Sequence, residues 1–172
     1  MKLLILLFLL GCLGHGAVQA SQFEFKPEAG KVEFKTKGWP NLVTIKGEGT
    51  GVQGKLVQTG NKVSGDLVFQ LDTLKTGIEL RDSHMKDKYL EVEKFPTATL
   101  SLKEVDVPDD LEGSFEFTAR MQLHGVEKDI QGEAELNQEG EIVKMTAELP
   151  IKLSDFKIAI PSYKGITVAE KV

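Results

Sequence analysis

The chain has 172 residues, with 26 acidic against 21 basic side chains, a net charge of −5 and a single cysteine. No basic block is present, so nucleic-acid binding has no electrostatic footing. The length suits one domain, and one cysteine excludes an internal disulfide or a cysteine-based metal cluster.

Residues 1–20 read as an export signal. Lys2 supplies a short positive start, and Leu3 to Leu10 is an apolar run too short to span a bilayer. Ala17-Val18-Gln19-Ala20 offers small residues for a signal peptidase. A second route stays open, because Leu9-Leu10-Gly11-Cys12 resembles a bacterial lipobox with Cys12 as the lipidated residue. Cleavage after Ala20 leaves one domain, residues 21–172, with 26 acids, 20 bases and a net charge of −6. It would hold no thiol and must be stabilised by its core. No later segment approaches the apolar length of a membrane helix.

Beyond residue 21 a period of two dominates. Phe23 and Phe25 alternate with Glu24 and Lys26, and Val32 and Phe34 with Glu33 and Lys35. Val63, Leu67, Phe69 and Leu71 share one parity. From Ser114 to Leu123, Phe115, Phe117, Ala119, Met121 and Leu123 point one way and polar residues the other. Successive side chains of a strand face opposite sides, so these strands are half-buried. About eight strands are expected, roughly at 22–28, 30–37, 43–57, 62–72, 97–106, 114–123, 127–136 and 141–149, with a further extended stretch near 164–170. Short turns at 59–62, 124–125 and 137–140 make neighbours antiparallel. Such strands bury their apolar faces by stacking or by closing into a barrel. Gly47, Gly49, Gly51 and Gly54 favour the barrel, since strand glycines mark bends and close approach.

Between the strands ending near 72 and beginning near 97, the alternation breaks. The spacing of Ile78, Arg81, Met85 and Tyr89 predicts a partly helical insert over 77–92, and Pro96 stops it. A short helical lid or plug at one barrel mouth is the expected placement.

The residues of this insert are distinctive as a set. Thr76-Gly77-Ile78, Arg81-Asp82, His84-Met85-Lys86, Tyr89-Leu90, Val92 and Lys94-Phe95-Pro96 follow one another in order. The block resembles the signature of the YceI-like family of periplasmic, lipocalin-like proteins. Met121-Gln122-Leu123-His124-Gly125-Val126 with Lys128 resembles a family hairpin. Ser154-Asp155-Phe156 and Pro161-Ser162-Tyr163-Lys164-Gly165-Ile166 resemble its closing segment. The start departs from the family pattern: Ala29 to Phe34 lacks the histidine many members carry there. The resemblance implies an all-β, eight-stranded antiparallel barrel with helical segments between strands. It also implies an isoprenoid or similar apolar chain in the interior and no cofactor.

The expected lining is Phe25, Phe34, Phe69, Phe115, Phe117 and Met121, all on core-facing parity. A closed eight-stranded barrel is just wide enough to be filled or to hold one ligand. Tyr163 and Lys164 are candidates for a polar headgroup at a mouth. Arg81, Asp82, His84, Tyr89, Pro96, His124 and Gly125 read as structural, holding insert and hairpin in place. No nucleophile motif or metal-ligand spacing is present. The expected protein is therefore a non-enzymatic, metal-free, periplasmic carrier of a polyisoprenoid-like lipid. Two alternatives remain: a stress or interaction protein with a filled barrel and the 77–92 insert as partner surface, and a metal-dependent enzyme using His84 and His124. Oligomeric state is open.

Overall fold

A computed structural model describes the backbone of residues 2–6, and residues 20–25, 27–28, 30–40, 43–140, 142–163 and 165–172. Cys12, the cleavage segment before Ala20, and Lys164 lie outside the described residues. The strands are β1 (Lys2–Leu6), β2 (Ala20–Phe25), β3 (Gly30–Trp39), β4 (Val43–Thr50), β5 (Gln53–Thr59) and β6 (Lys62–Gln70). After the insert come β7 (Thr97–Asp106), β8 (Gly113–Leu123), β9 (Val126–Glu139), β10 (Ile142–Glu148), β11 (Ser162–Tyr163) and β12 (Ile166–Val168). All pairings are antiparallel, in the order β11-β12-β3-β1-β10-β9-β8-β7-β6-β5-β2, with β4 on β3. The sheet curls into a half-barrel around one core. Among the described residues no helix is long and apolar enough to cross a membrane.

The all-β antiparallel fold expected from alternation is what the chain forms, but the strand count differs. The stretch 43–57 is two strands, because Gly51 turns the chain at φ +92° and Val52 is buried at the break. That backbone region is open to glycine and costly for other residues. Within β4 the glycines serve close approach instead. A Cβ on Gly47 would lie 2.3 Å from the Phe34 ring, and one on Gly49 would lie 2.6 Å from Phe69. Two bulky inward rings therefore lean over the Gly47–Gly49 part of the strand, which has no side chains on that face.

The backbone of Lys2–Leu6 pairs with β10 on one side and β3 on the other. Residues 2–6 thus supply a strand at the seam between β3 and β10. Inward residues build a continuous core from Phe23, Phe25, Leu67, Phe117, Ala134 and others. Outward faces carry ion pairs. Lys31 sits 2.8 Å from Glu48 and 2.9 Å from Glu33. Its hydrogen bonds to Glu48 and then Glu33 hold the ammonium above its ordinary range, and Lys31 in turn holds the Glu48 carboxyl low. Arg120 pairs with Asp129 at 2.9 Å across the β8–β9 hairpin, raising the guanidinium and lowering the carboxyl by their mutual hydrogen bonds.

Candidate functional site: an apolar cavity under the insert

Among the described residues, the connection from β6 to β7 is the long excursion between strands that are consecutive in the chain and paired in the sheet. It opens with a tight turn at Leu71–Thr73, whose Leu71 is buried. Thr73 Oγ1 donates to main-chain carbonyls of Gln70 (2.8 Å) or Thr50 (2.9 Å), pinning the turn to the end of β4. Lys75 and Glu48 then exchange two main-chain hydrogen bonds of 2.7 and 2.8 Å. The chain lifts off the sheet at Gly77 and forms α1 (Glu79–Ser83), which continues as a wider helical turn over His84–Tyr89.

α1 spans five residues, too short to be stable alone. Its support is a polar knot at its first turn. Asp82 Oδ1 accepts from the Thr76 main-chain N–H at 2.7 Å and from the Thr76 hydroxyl. Arg81 donates through Nε to Thr76 Oγ1 (2.8 Å) and through Nη2 to Thr76 O (3.0 Å). Met85, Tyr89, Leu90 and Val92 then pack against the core.

The return leg is fixed by the β8–β9 hairpin. His124 and Gly125 both have positive φ, +52° and +71°, as a two-residue hairpin turn requires. The His124 ring, 10 % exposed, puts Nδ1 3.2 Å from Phe156 O and Nε2 2.8 Å from Glu91 Oε2. Both partners are acceptors, so a neutral ring serves one and a protonated ring both. Phe95 tilts against the same ring at 4.6 Å. One histidine thus joins the hairpin, the insert and the C-terminal segment.

That segment crosses the same end of the half-barrel. Phe156 is buried, Ile151 pairs with Val172 through two main-chain bonds, and β12 joins β3 at Trp39 and Gly38. Among the described residues it meets the insert through Tyr89 and His84. The Tyr89 hydroxyl lies 3.3 Å from Ser162 N and 3.5 Å from Ser162 O, and the His84 ring stands edge-on to Tyr163 at 5.8 Å.

Between sheet, insert and C-terminal segment lies a cavity of about 430 Å³. β3 and β4 supply Val32, Phe34, Thr36 and Ile45; Phe69 and Met121 come from β6 and β8, and Met85 from the insert. Ile78 and Leu80, more than half exposed, Val43 and Tyr163 also line it. The other half of the core leaves only about 60 Å³. The interior is therefore filled at one end and open at the other.

Residues 23–172 match the family model for the YceI-like domain. The chain belongs to the YceI-like family. Its fold is similar to that of a polyisoprenoid binding domain from Saccharophagus degradans, at 18 % identity over 91 % of this chain and 80 % of that one, with a TM-score of 0.59. It is also similar to BcnA from Burkholderia cenocepacia, at 14 % identity over 82 % and 92 %, with a TM-score of 0.64. A search of curated proteins finds no match.

Within this YceI-like domain the five rings and one methionine expected as lining divide by height. Phe34, Phe69 and Met121 face the cavity, whereas Phe25, Phe115 and Phe117 pack in the filled half. Arg81, His84 and Tyr89 line the cavity as well as fastening the insert, and Tyr163 stands at its mouth. Asp82, Pro96, His124 and Gly125 serve the scaffold, Pro96 by accepting from Leu71 N at 2.9 Å. Among the described residues no group of three or more metal-ligating side chains converges. Sequence reasoning missed Thr36, Ile45 and, apart from Tyr163, the C-terminal lining residues. Thr36 was findable, since it shares the parity of Val32 and Phe34.

Proposed function

We propose that this protein is an exported, non-catalytic carrier that holds a long apolar lipid, of polyisoprenoid kind, in the cavity beneath the insert. The observation that carries the reading is the 430 Å³ apolar cavity in an otherwise filled core, within the size range of small-molecule pockets. The binding domain from Saccharophagus degradans, named for polyisoprenoids, has the same fold. Each buried methylene contributes about 0.8 kcal/mol, offset by immobilising the chain. A lipid larger than the cavity must extend through the mouth beside Ile78, Leu80 and Tyr163. Export would remove residues 1–20 and with them β1, bringing the edges of β3 and β10 face to face. Lipidation at Cys12 is the competing route, and the periplasm the expected compartment of either product.

The test is native mass spectrometry of protein purified from its own envelope, followed by organic extraction. A stoichiometric long apolar molecule is the expected result. Ala98, buried at the start of β7 and lining the cavity, offers a control. Ala98→Phe should fill the space and abolish copurification while leaving a folded protein. A wild-type mass that stays bare after exposure to membrane lipids would overturn the carrier. It would favour a second reading, in which the exposed Ile78 and Leu80 of the insert meet a protein partner.

A further inference from the structure

Exposed apolar side chains are not scattered evenly over this molecule. Of the seven large ones among the described residues, four line the cavity under the insert: Val43, Ile78, Leu80 and Tyr163. A residue that both lines the cavity and meets water stands at its opening. Trp39, 67 % exposed, belongs to the same rim. It follows Gly38, which pairs with Val43 on one side and Val168 on the other, and both of those line the cavity. An apolar patch gathered in one place marks an interaction surface.

Charge singles out the same end of β3 and β4. On their outward face Glu33 and Glu48 stand opposite one another, and Lys31 binds both. Two residues nearer the mouth, Lys35 stands directly opposite Lys46, and Lys37 follows on β3. All three are exposed, and none is in an ion pair among the described residues. Like charges directly opposite destabilise a sheet. Lysines commonly guard a free edge, which would account for Lys46, but β3 has neighbours on both of its edges. The whole chain has a net charge of −5, so this basic zone runs against the overall balance. Glu79, exposed between Ile78 and Leu80, opposes it at the rim.

We propose that this rim docks on an anionic membrane surface, with Trp39, Ile78 and Leu80 in the apolar boundary and Lys35, Lys37 and Lys46 among the headgroups. This rests on the carrier reading and adds the place of exchange, since cargo passes between bilayer and cavity through the mouth. A long apolar chain that crosses water exposes every methylene on the way, and a mouth seated on the bilayer removes that step. Tryptophan and tyrosine suit the boundary, because each has an apolar body and a polar edge. Lysines near an anionic surface add an attraction that salt screens.

Trp39 is the single tryptophan of the chain, so its fluorescence reports on the rim alone. The experiment uses protein purified from its own envelope and vesicles whose acyl chains carry bromine, a contact quencher of tryptophan. One set holds phosphatidylglycerol and phosphatidylcholine in equal parts, the other phosphatidylcholine alone. Wild type should be quenched strongly by the first set and weakly by the second, and added salt should shrink the difference. The combined variant Lys35→Gln, Lys37→Gln and Lys46→Gln should bind the anionic set roughly thirty- to a hundredfold more weakly, with uptake of an apolar dye unchanged. Glu79→Gln should bind it several-fold more tightly. A lipid anchor at Cys12 would hold the chain on either set without placing Trp39 among acyl chains, so quenching separates anchoring from docking. Equal quenching of wild type and the triple variant would overturn the anionic surface. An unquenched Trp39 in a protein that takes up dye would overturn docking and leave the carrier standing. A Trp39 emission that shifts with protein concentration, in wild type that no vesicle quenches, would overturn the proposal by assigning the rim to a second copy. A quenched wild type that takes up no dye would overturn the exchange together with the carrier.

Discussion

Asp82 does its work on a neighbour six residues back. Its carboxylate takes both the main-chain N–H and the hydroxyl of Thr76, while Arg81 grips the other side of the same residue. Without these bonds nothing holds a five-residue helix at the point where the chain leaves the sheet. Asp82→Ala strands the Thr76 N–H and leaves the Thr76 hydroxyl without its acceptor, so it should cost about 1–3 kcal/mol in denaturant unfolding. Hydrogen exchange should locate the loss, with amides of 76–90 exchanging faster and those of β8 and β9 unchanged. Uniform acceleration over the whole sheet would mean that Asp82 supports the core and not the insert. His124 shows the same economy at one residue, where a turn that needs positive φ also supplies a ring facing two separate segments.

As an element, the insert is a cover fastened at both ends and lightly touched in the middle. The knot at Thr76 holds one end and the His124–Glu91 contact the other. Its meeting with the C-terminal segment is the weaker seam, a long pair of contacts from Tyr89 to Ser162 and one aromatic edge. Low-stability contacts of this kind open first. Tyr89→Phe should therefore leave the melting temperature nearly unchanged and raise the release rate of a bound apolar dye several-fold in stopped-flow chasing. An unchanged rate would place the exit elsewhere. The insert's helical character was legible from the spacing of Ile78, Arg81, Met85 and Tyr89. Its widening into a looser turn after Ser83 was not, because side-chain spacing records faces and not hydrogen-bond span. The C-terminal strap was less legible still. Ile151, Phe156 and Ile158 are among the most buried residues, yet they follow no period, since a segment crossing a barrel end meets the core irregularly.

At the scale of the molecule, alternation tells which face a residue occupies but not its height along the barrel axis. Phe25, Phe34, Phe69, Phe115, Phe117 and Met121 look equivalent in sequence and divide evenly between an open half and a filled one. Height follows from strand register, from Gly47 and Gly49 under Phe34 and Phe69, and from an insert that bridges the open end without filling it. The division has a consequence for mutation. Phe117 is buried against Leu149 and Gly132, with a Cβ on Gly132 falling 2.8 Å from its ring. Phe117→Ala should cost about 3–5 kcal/mol in urea unfolding yet leave the affinity for an apolar probe within error. Phe34 is only partly buried and borders the cavity, so Phe34→Ala should cost less stability and change affinity more. The two variants remove the same ring from the same face of one sheet, so a crossed outcome isolates height as the variable. If both lose stability and binding together, the interior behaves as one continuous space, and the filled half must open when the lipid enters.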